Sequence, residues 1–380
     1  MGQLDIAIAG GGIGGMAAAI ALSMTGHRVR LYERATAFGR VGADVTLTPN
    51  AVHALDGLKI SGALHRCAAQ PRFHVSRRWD SGEETARVPL SHAADERYGA
   101  SLLTLHRADL LATLEAALPP ETLTLNMPVA GLEQHAEGAA LVLVDGTRLA
   151  ADLVVGADGI HSTIRRELFG PDAPRFTGLV SWRGTVPRDA VAGLPDTDSV
   201  TKWWGPTSDR QILTFPLSRD ETFVFATTAQ QGWTEEGWTL PGDIAELRAS
   251  YADFHPEARA LLDACDRVTR SALHVRAPME RWSAGHATVL GDAAHPMVPF
   301  MAQGAGMAIE DAIVLSRALK GVGPRALGPA LATYEAARKP RTARMQETSL
   351  ANDWLRENGD ADWVYGYDAW NILLEDGATG

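Results

Sequence analysis

The sequence predicts an α/β protein: a doubly wound parallel sheet, an antiparallel sheet inserted into it, and helices at the C-terminal end. Three observations predict this. The apolar run Ile6-Ala7-Ile8-Ala9 ends in Gly10-Gly11-Gly12-Ile13-Gly14-Gly15 and passes straight into an alanine-rich segment, 16–22, which reads as strand, tight turn and helix. Two more apolar segments, 151–157 and 287–290, end in Asp158-Gly159 and Gly291-Asp292, where a doubly wound sheet presents its ligand edge. From 176 to about 228 the texture changes to alternating strands with no helices between them.

Taken in order, Gly10, Gly12 and Gly15 give the G-x-G-x-x-G spacing. The first can take unusual dihedrals, the second lets a diphosphate approach the backbone, and the third lets helix pack tightly on strand. Ile13 and Gly14 lie between them, at the helix N-terminus, where free N–H groups and the helix dipole favour an anion. A second strand, 28–32, ends at Glu33, about 20 residues on, placed for a ribose diol. Arg34 and Arg40 follow in a loop; Arg40 reads either as a phosphate contact or as solvated loop charge. Asn50 is expected to cap a helix over 51–58. A hairpin is expected over 71–89, with Asp80-Ser81-Gly82 as its turn. A helix opens near Arg107, which is either a cofactor contact or a surface charge. Strands at 122–125, 129–134 and 140–144 read as a meander. Helices are expected over 162–169, 242–254 and 256–265, then from Gln303-Gly304 through 320, and from 327 to about 352, the last kinked at Pro340. The tail is aromatic: Trp354, Trp363, Tyr365, Tyr367 and Trp370.

Composition bounds the function. With 380 residues, 46% of them hydrophobic, the chain can build two domains or one elaborated domain with a sizeable core. A net charge of −11 argues against nucleic acid or an anionic membrane surface as the main partner. Cys67 and Cys265 stand in no metal-ligand spacing, and a cytoplasmic setting fits them. The N-terminal apolar stretch lacks a basic leader and reads as strand and helix rather than signal peptide or membrane span.

The ordered set of Gly10 to Gly15 with Glu33, then Asp158-Gly159, then Gly291-Asp292-Ala293-Ala294-His295-Pro296, resembles the single-component FAD-dependent aromatic hydroxylases, the group that includes para-hydroxybenzoate and salicylate hydroxylases. The resemblance spans the chain. It implies a Rossmann-like FAD-binding domain of the glutathione reductase type (1–70, 100–170, 282–322), an antiparallel-sheet substrate domain (71–99, 171–281) and a C-terminal helix with aromatic tail (323–380). It implies that Gly10, Gly12, Ile13, Gly14, Gly15 and Glu33, with Arg34 and Arg40, hold the ADP half of FAD, and that Arg107, Asp158, Gly159 and Gly291 also serve the cofactor. Asp292 would take the ribityl hydroxyls, or else cap a helix. Pro299 would lie against the flavin ring, and Gln303, Gly304 and Ala305 would point a helix N-terminus at its N1–C2 carbonyl.

The activity implied is hydroxylation of a hydroxy- or amino-substituted aromatic or N-heteroaromatic ring with NADH or NADPH and O2, through a C4a-hydroperoxyflavin. The alternatives on the same scaffold are epoxidation, Baeyer–Villiger insertion or decarboxylative oxygenation, or a flavin-binding sensor. His295 is the candidate base, against a structural role in its turn. Thr46, Thr48, Trp182, Arg183, Val200, Gln211, Phe215 and Phe300 are the candidate pocket residues. Lys202-Trp203-Trp204 and Trp363-Val364-Tyr365-Gly366-Tyr367 are similar to the 6-hydroxynicotinate 3-monooxygenases. That branch, however, has histidines at Thr46, Gln211 and Phe300, a cysteine near Val200 and a tyrosine at Phe215; Phe215 and Phe300 make this pocket more apolar, so a less polar or differently substituted ring is expected here. Arg183 or Lys202 could hold a carboxylate, or be strand-edge surface charges. Expected partners are thus the ring, O2 and the pyridine nucleotide, with the chain a monomer or homodimer.

Overall fold

The computed structural model describes residues 2–39, 44–218, 220–235, 237, 239–356 and 360–374. Its first sheet has six strands in the order Ser283–Ala284, Ala287–Val289, Leu153–Gly156, Asp5–Ala9, Arg28–Tyr32 and Leu123–Thr124. All neighbours pair parallel except the first two. Apart from Asp5 at its edge, the central strands are apolar because helices cover the sheet, which leaves no wet side to demand alternation. Helix Ile13–Met24 packs on helix Gly304–Ala318. Small residues make that approach possible: a methyl on Gly14 would stand 3.1 Å from the Ala308 Cβ. The meander differs from its expectation. Leu123 pairs beside Leu31 at the edge of the parallel sheet, and the three-stranded meander is Val129–His135, Gly138–Leu143 and Arg148–Ala151.

The second sheet has eight strands: Leu240–Gly242, Val268–Val275, Arg175–Pro187, Glu221–Ala229, Gln211–Leu217, Val200–Trp204, Phe73–Arg78 and Glu84–Pro89. The early hairpin is thus continuous with the later strands, joined by a parallel pairing of Phe73–Arg78 with Val200–Trp204. Side chains alternate across this sheet. Val180, Trp182, Trp203, Ile212, Val224 and Ala226 share a core with Leu247 of helix Ile244–Ser250 and Leu261 of helix Pro256–Asp263. Val200, Phe215, Phe223 and Phe225 share another with Met301, Met307 and Tyr365.

Thr48 occupies the N-cap position of helix Pro49–Gly57 without a side-chain cap bond, and Asn50 lies buried inside the first turn. The expected cap at Asn50 is corrected accordingly: its amide donates to Gln303 Oε1 (3.1 Å) and Glu310 Oε1 (2.7 Å) instead. Helix Leu327–Ala351 runs on through Pro340. The aromatic tail folds back on its own chain: the Trp370 indole donates to the Ala54 carbonyl (2.9 Å), and Trp354 meets Tyr365 edge to face.

Candidate functional site

Two adjoining cavities lie between the sheets. With the space open to solvent included, the larger spans about 1330 Å³ and the smaller about 600 Å³, and Thr46, Leu213, Phe225, Pro299 and Ala302 border both.

The larger cavity is made mostly of backbone. Gly10 turns the chain at φ +106°, and a methyl there would strike the Ala157 carbonyl at 2.4 Å. A methyl on Gly15 would stand 1.9 Å from the Gly10 carbonyl oxygen, so only glycine permits this turn. At Gly12 the same test finds open space: nothing lies within 4 Å, because its Cβ direction points into the cavity. Gly12, Ile13 and Gly14 border the cavity, as do Gly304 and Ala305 at the start of the second long helix. Neither N-cap residue, Gly12 or Gln303, supplies a side-chain cap. Two uncapped helix N-termini therefore face one space, each with unsatisfied N–H groups and a partial positive charge. This is a cradle for a large anionic group, and Gly12, Ile13, Gly14, Gly304 and Ala305, among the residues expected to hold FAD, line it.

Charged groups complete the rim. The Glu33 carboxylate accepts from the Gly11 N–H (2.7 Å) and the Ala35 N–H (2.8 Å), which fixes it beside the glycine turn. Arg107, Gly159, Gly291 and Asp292 also line this cavity. Asp292 is open to the cavity yet surrounded by protein. Burial raises its pKa, with His295 and Arg107 pulling it down. Across the space, burial pushes Asp44 up to about 7 against the opposing pull of Arg183. Asp44 carries no sequence signal that would have singled it out. Arg34 is exposed, and Arg40 lies outside the described residues. Asp158 is turned inward: its carboxylate accepts from the Ser162 hydroxyl (2.5 Å) and the Thr163 N–H (2.7 Å), so it caps helix Thr163–Phe169 rather than reaching into the cavity.

The smaller cavity is made of side chains. Thr46, Thr48, Val200, Gln211 and Phe300 line it, whereas Phe215 and Arg183 line the larger one. Trp182 is corrected. It is 1% exposed, its indole donates to Thr228 (2.8 Å), and the alternation of its strand turns it to the helix-covered face, away from both cavities. His74, Lys202, Trp354 and Tyr365 also line the smaller cavity. Lys202 is open to either reading from sequence; His74 carries no signal there, and Trp354 and Tyr365 read only as parts of the aromatic tail, because strand pairing and the folded-back tail bring them to the cavity.

Behind both cavities runs a buried polar network. Gln303 donates to Thr48 Oγ1 (2.8 Å), Asn50 joins Gln303 to Glu310, and Glu310 accepts from Arg338 (2.6 Å) and Arg341 (2.7 Å). Asp311 accepts from Arg338 Nε (2.7 Å), the Gly291 N–H (3.0 Å) and His295 Nε2 (2.5 Å). Burial alone would raise Asp311, but His295 and Arg338 hold it at about 2. The candidate base His295 is therefore corrected: it is 1% exposed, packed on Trp282 and tied to Asp311. His295 borders neither cavity. Gln303 likewise serves the network and not the cavity surface. Among the described residues no His/Cys/Asp/Glu group could hold a metal ion, and no helix is long and apolar enough to cross a membrane.

Comparison with known proteins completes the picture. A family model described as an FAD binding domain matches residues 3–349. A 6-hydroxynicotinate 3-monooxygenase of Bordetella bronchiseptica is 38% identical over 378 residues, which covers 99% of this chain and 98% of that protein. A 3-amino-4-hydroxybenzoate 2-monooxygenase of Streptomyces platensis is 36% identical, covering 96% of each. Among solved structures, a salicylate hydroxylase substrate complex superposes with a TM-score of 0.84 at 26% identity, covering 97% of this chain and 96% of that one.

Proposed function

We propose, for a chain that belongs to the FAD-binding-domain family and is an FAD-dependent monooxygenase of aromatic or N-heteroaromatic rings, that the larger cavity holds FAD and the smaller one holds the ring. The observation that carries this reading is the shared wall. A cavity built of two uncapped helix N-termini opens through Thr46, Pro299 and Ala302 onto one built of aromatic and polar side chains.

Bound FAD supplies electron transfer from NADH or NADPH and activation of O2. The rest is the work of the chain. The N–H groups of Ile13 and Gly14 would take the diphosphate, the oriented Glu33 carboxylate the ribose, and Asp292 the polyol chain. The helix beginning at Gly304 would place its positive end against the flavin ring and stabilise negative charge there. Pro299 and Ala302 would face the flavin on one side and the substrate on the other. Leu213, Phe225, Phe300 and Tyr365 surround the ring and exclude water, which protects an oxygen donor from wasteful breakdown. An electron-rich ring is required, so a hydroxyl or amino substituent is expected. Both named relatives act, by their names, on rings bearing a hydroxyl and a carboxyl group. The two cysteines, in no disulfide or metal-ligand spacing, support a cytoplasmic enzyme.

The test is turnover. Purified protein should be yellow, and a panel of hydroxy- and amino-substituted benzoates, pyridines and phenols should include one that stimulates NAD(P)H oxidation and gains one oxygen atom by mass. Colourless protein that takes up no FAD, or nucleotide oxidation with no oxygenated product from any ring, would overturn the assignment.

A further inference from the structure

The smaller cavity holds unusual unsatisfied polarity. Lys202 is 5% exposed, and its ammonium rests 3.5 Å from the centre of the Trp204 ring, 5.8 Å from that of Phe300, and 3.0 Å from the Asn352 amide oxygen. No carboxylate of the described residues lies within ion-pair distance of it, and burial, with Arg356 adding to it and Asp353 pulling weakly the other way, holds its pKa well below the ordinary lysine value. Buried charges are ordinarily paired, because an unneutralised ion in a low-dielectric interior keeps most of its desolvation penalty. In the same cavity both amide atoms of Gln211, which is 2% exposed, are buried without a hydrogen-bond partner, as are His74 Nδ1 and Trp354 Nε1. Orphaned buried polar groups are rare in folded chains, and four orphaned atoms around one cavity ask for a ligand that satisfies them together.

We propose that this cavity selects an anionic ring: a hydroxy- or amino-substituted aromatic or N-heteroaromatic carboxylate whose carboxylate neutralises Lys202, and whose second polar substituent pairs with the Gln211 amide. The proposal rests on the assignment of the smaller cavity to the substrate. A carboxylate arriving beside Lys202 favours the protonated amine that burial disfavours, and gains a charge-assisted hydrogen bond in a dry site. Gln211 presents one donor and one acceptor, which suits a hydroxyl, or a ring lactam with adjacent N–H and C=O. Burial, and after it the neighbouring Lys202, bring His74 down to about 4, so near neutral pH it adds no positive charge and can donate or accept. Thus Lys202 sets the sign of the ligand and Gln211 its substitution pattern. These are specificity residues: they hold the ring and perform no chemistry.

The experiment uses the FAD-loaded protein and measures ligand dissociation constants from the perturbation of flavin absorbance, without turnover. The probes are 4-hydroxybenzoate and 6-hydroxynicotinate, each with its neutral carboxamide, and benzoate. The intact protein should bind the acids at least ~100-fold more tightly than the amides. Lys202→Met should abolish that preference by weakening the acids ~100-fold, with the amides changed less than ~3-fold. Its melting temperature should hold or rise, since an unpaired buried charge is replaced by an apolar chain of similar length. Gln211→Leu should weaken the hydroxylated acids and leave benzoate unchanged. Amides that bind as well as acids in the intact protein, or an acid preference that survives Lys202→Met, would overturn the proposal. Failure of the underlying assignment looks different: no ring in the turnover panel is oxygenated, whatever its charge.

Discussion

The two cavities are built from different material. The larger is a backbone site: a strand, a glycine turn and two helix N-termini, with its steric demands set by Gly10 and Gly15. The smaller is a side-chain site assembled from Phe73–Arg78, Val200–Trp204, Gln211–Leu217, the segment at Pro299–Met301 and the C-terminal tail. A backbone site constrains local sequence strongly, since few residues can replace glycine at such approaches. A side-chain site leaves its residues free to vary, and so it can exchange one ring for another on the same scaffold.

Substitutions that separate the two run from large effects to small. Gly15→Val drives a side chain into the Gly10 carbonyl at the strand–helix junction, and neither backbone can yield. Little folded protein and no bound flavin are expected, with a loss above ~4 kcal/mol in chemical denaturation. Arg338→Met removes a fully buried guanidinium from Glu310 and Asp311. Because Arg341 and His295 still serve those carboxylates, the loss should sit near the low end for a broken buried pair, about 3 kcal/mol. A melting temperature within a degree of the parent would show that the network is not what holds the helix Gly304–Ala318 against the Gly291–Ala293 turn.

Gly12→Ala separates fold from cofactor. Its added methyl meets no protein atom but enters the larger cavity, so the flavin-free protein should melt within ~3 °C of the parent while FAD affinity falls ~10- to 100-fold. Unchanged FAD affinity would remove the diphosphate from that turn. The smallest effect is expected at Asp44, and it depends on pH. Its folded pKa of about 7 lies above the ordinary 3.8, so the native state keeps a proton that the unfolded chain releases. The resulting destabilisation is absent below about pH 4, grows between about 4 and 7, and is complete above. Asp44→Asn should therefore raise the melting temperature of flavin-free protein by a few degrees at pH 8 and leave it unchanged at pH 4. Equal melts of parent and variant at pH 8 would show that Asp44 ionises freely.

The same contrast explains what the sequence made legible. The glycine turn, Glu33, the parallel strands and the Gly291-Asp292 segment are local patterns, and they place most of the larger cavity. His295 and Asp158 were legible as residues of the right segments but not in their orientation. The turn at Gly291 folds His295 onto Asp311, and Asp158 spends its oxygens on a helix cap. Trp182 illustrates the period of two in a strand: one position's difference, Trp182 against Arg183, decides which face of the sheet a side chain joins. His74 and Trp354 were not legible, because they reach the smaller cavity through a long-range parallel pairing and a tail that folds back, neither of which leaves a local mark.

The most direct measurement is a crystal structure of this chain with FAD and 4-hydroxybenzoate. The account predicts the flavin diphosphate against the N–H groups of Ile13 and Gly14, and the benzoate ring in the smaller cavity with its carboxylate on Lys202. A diphosphate bound away from the Gly12 turn, or a ring seated outside that cavity with Lys202 unpaired, would contradict it.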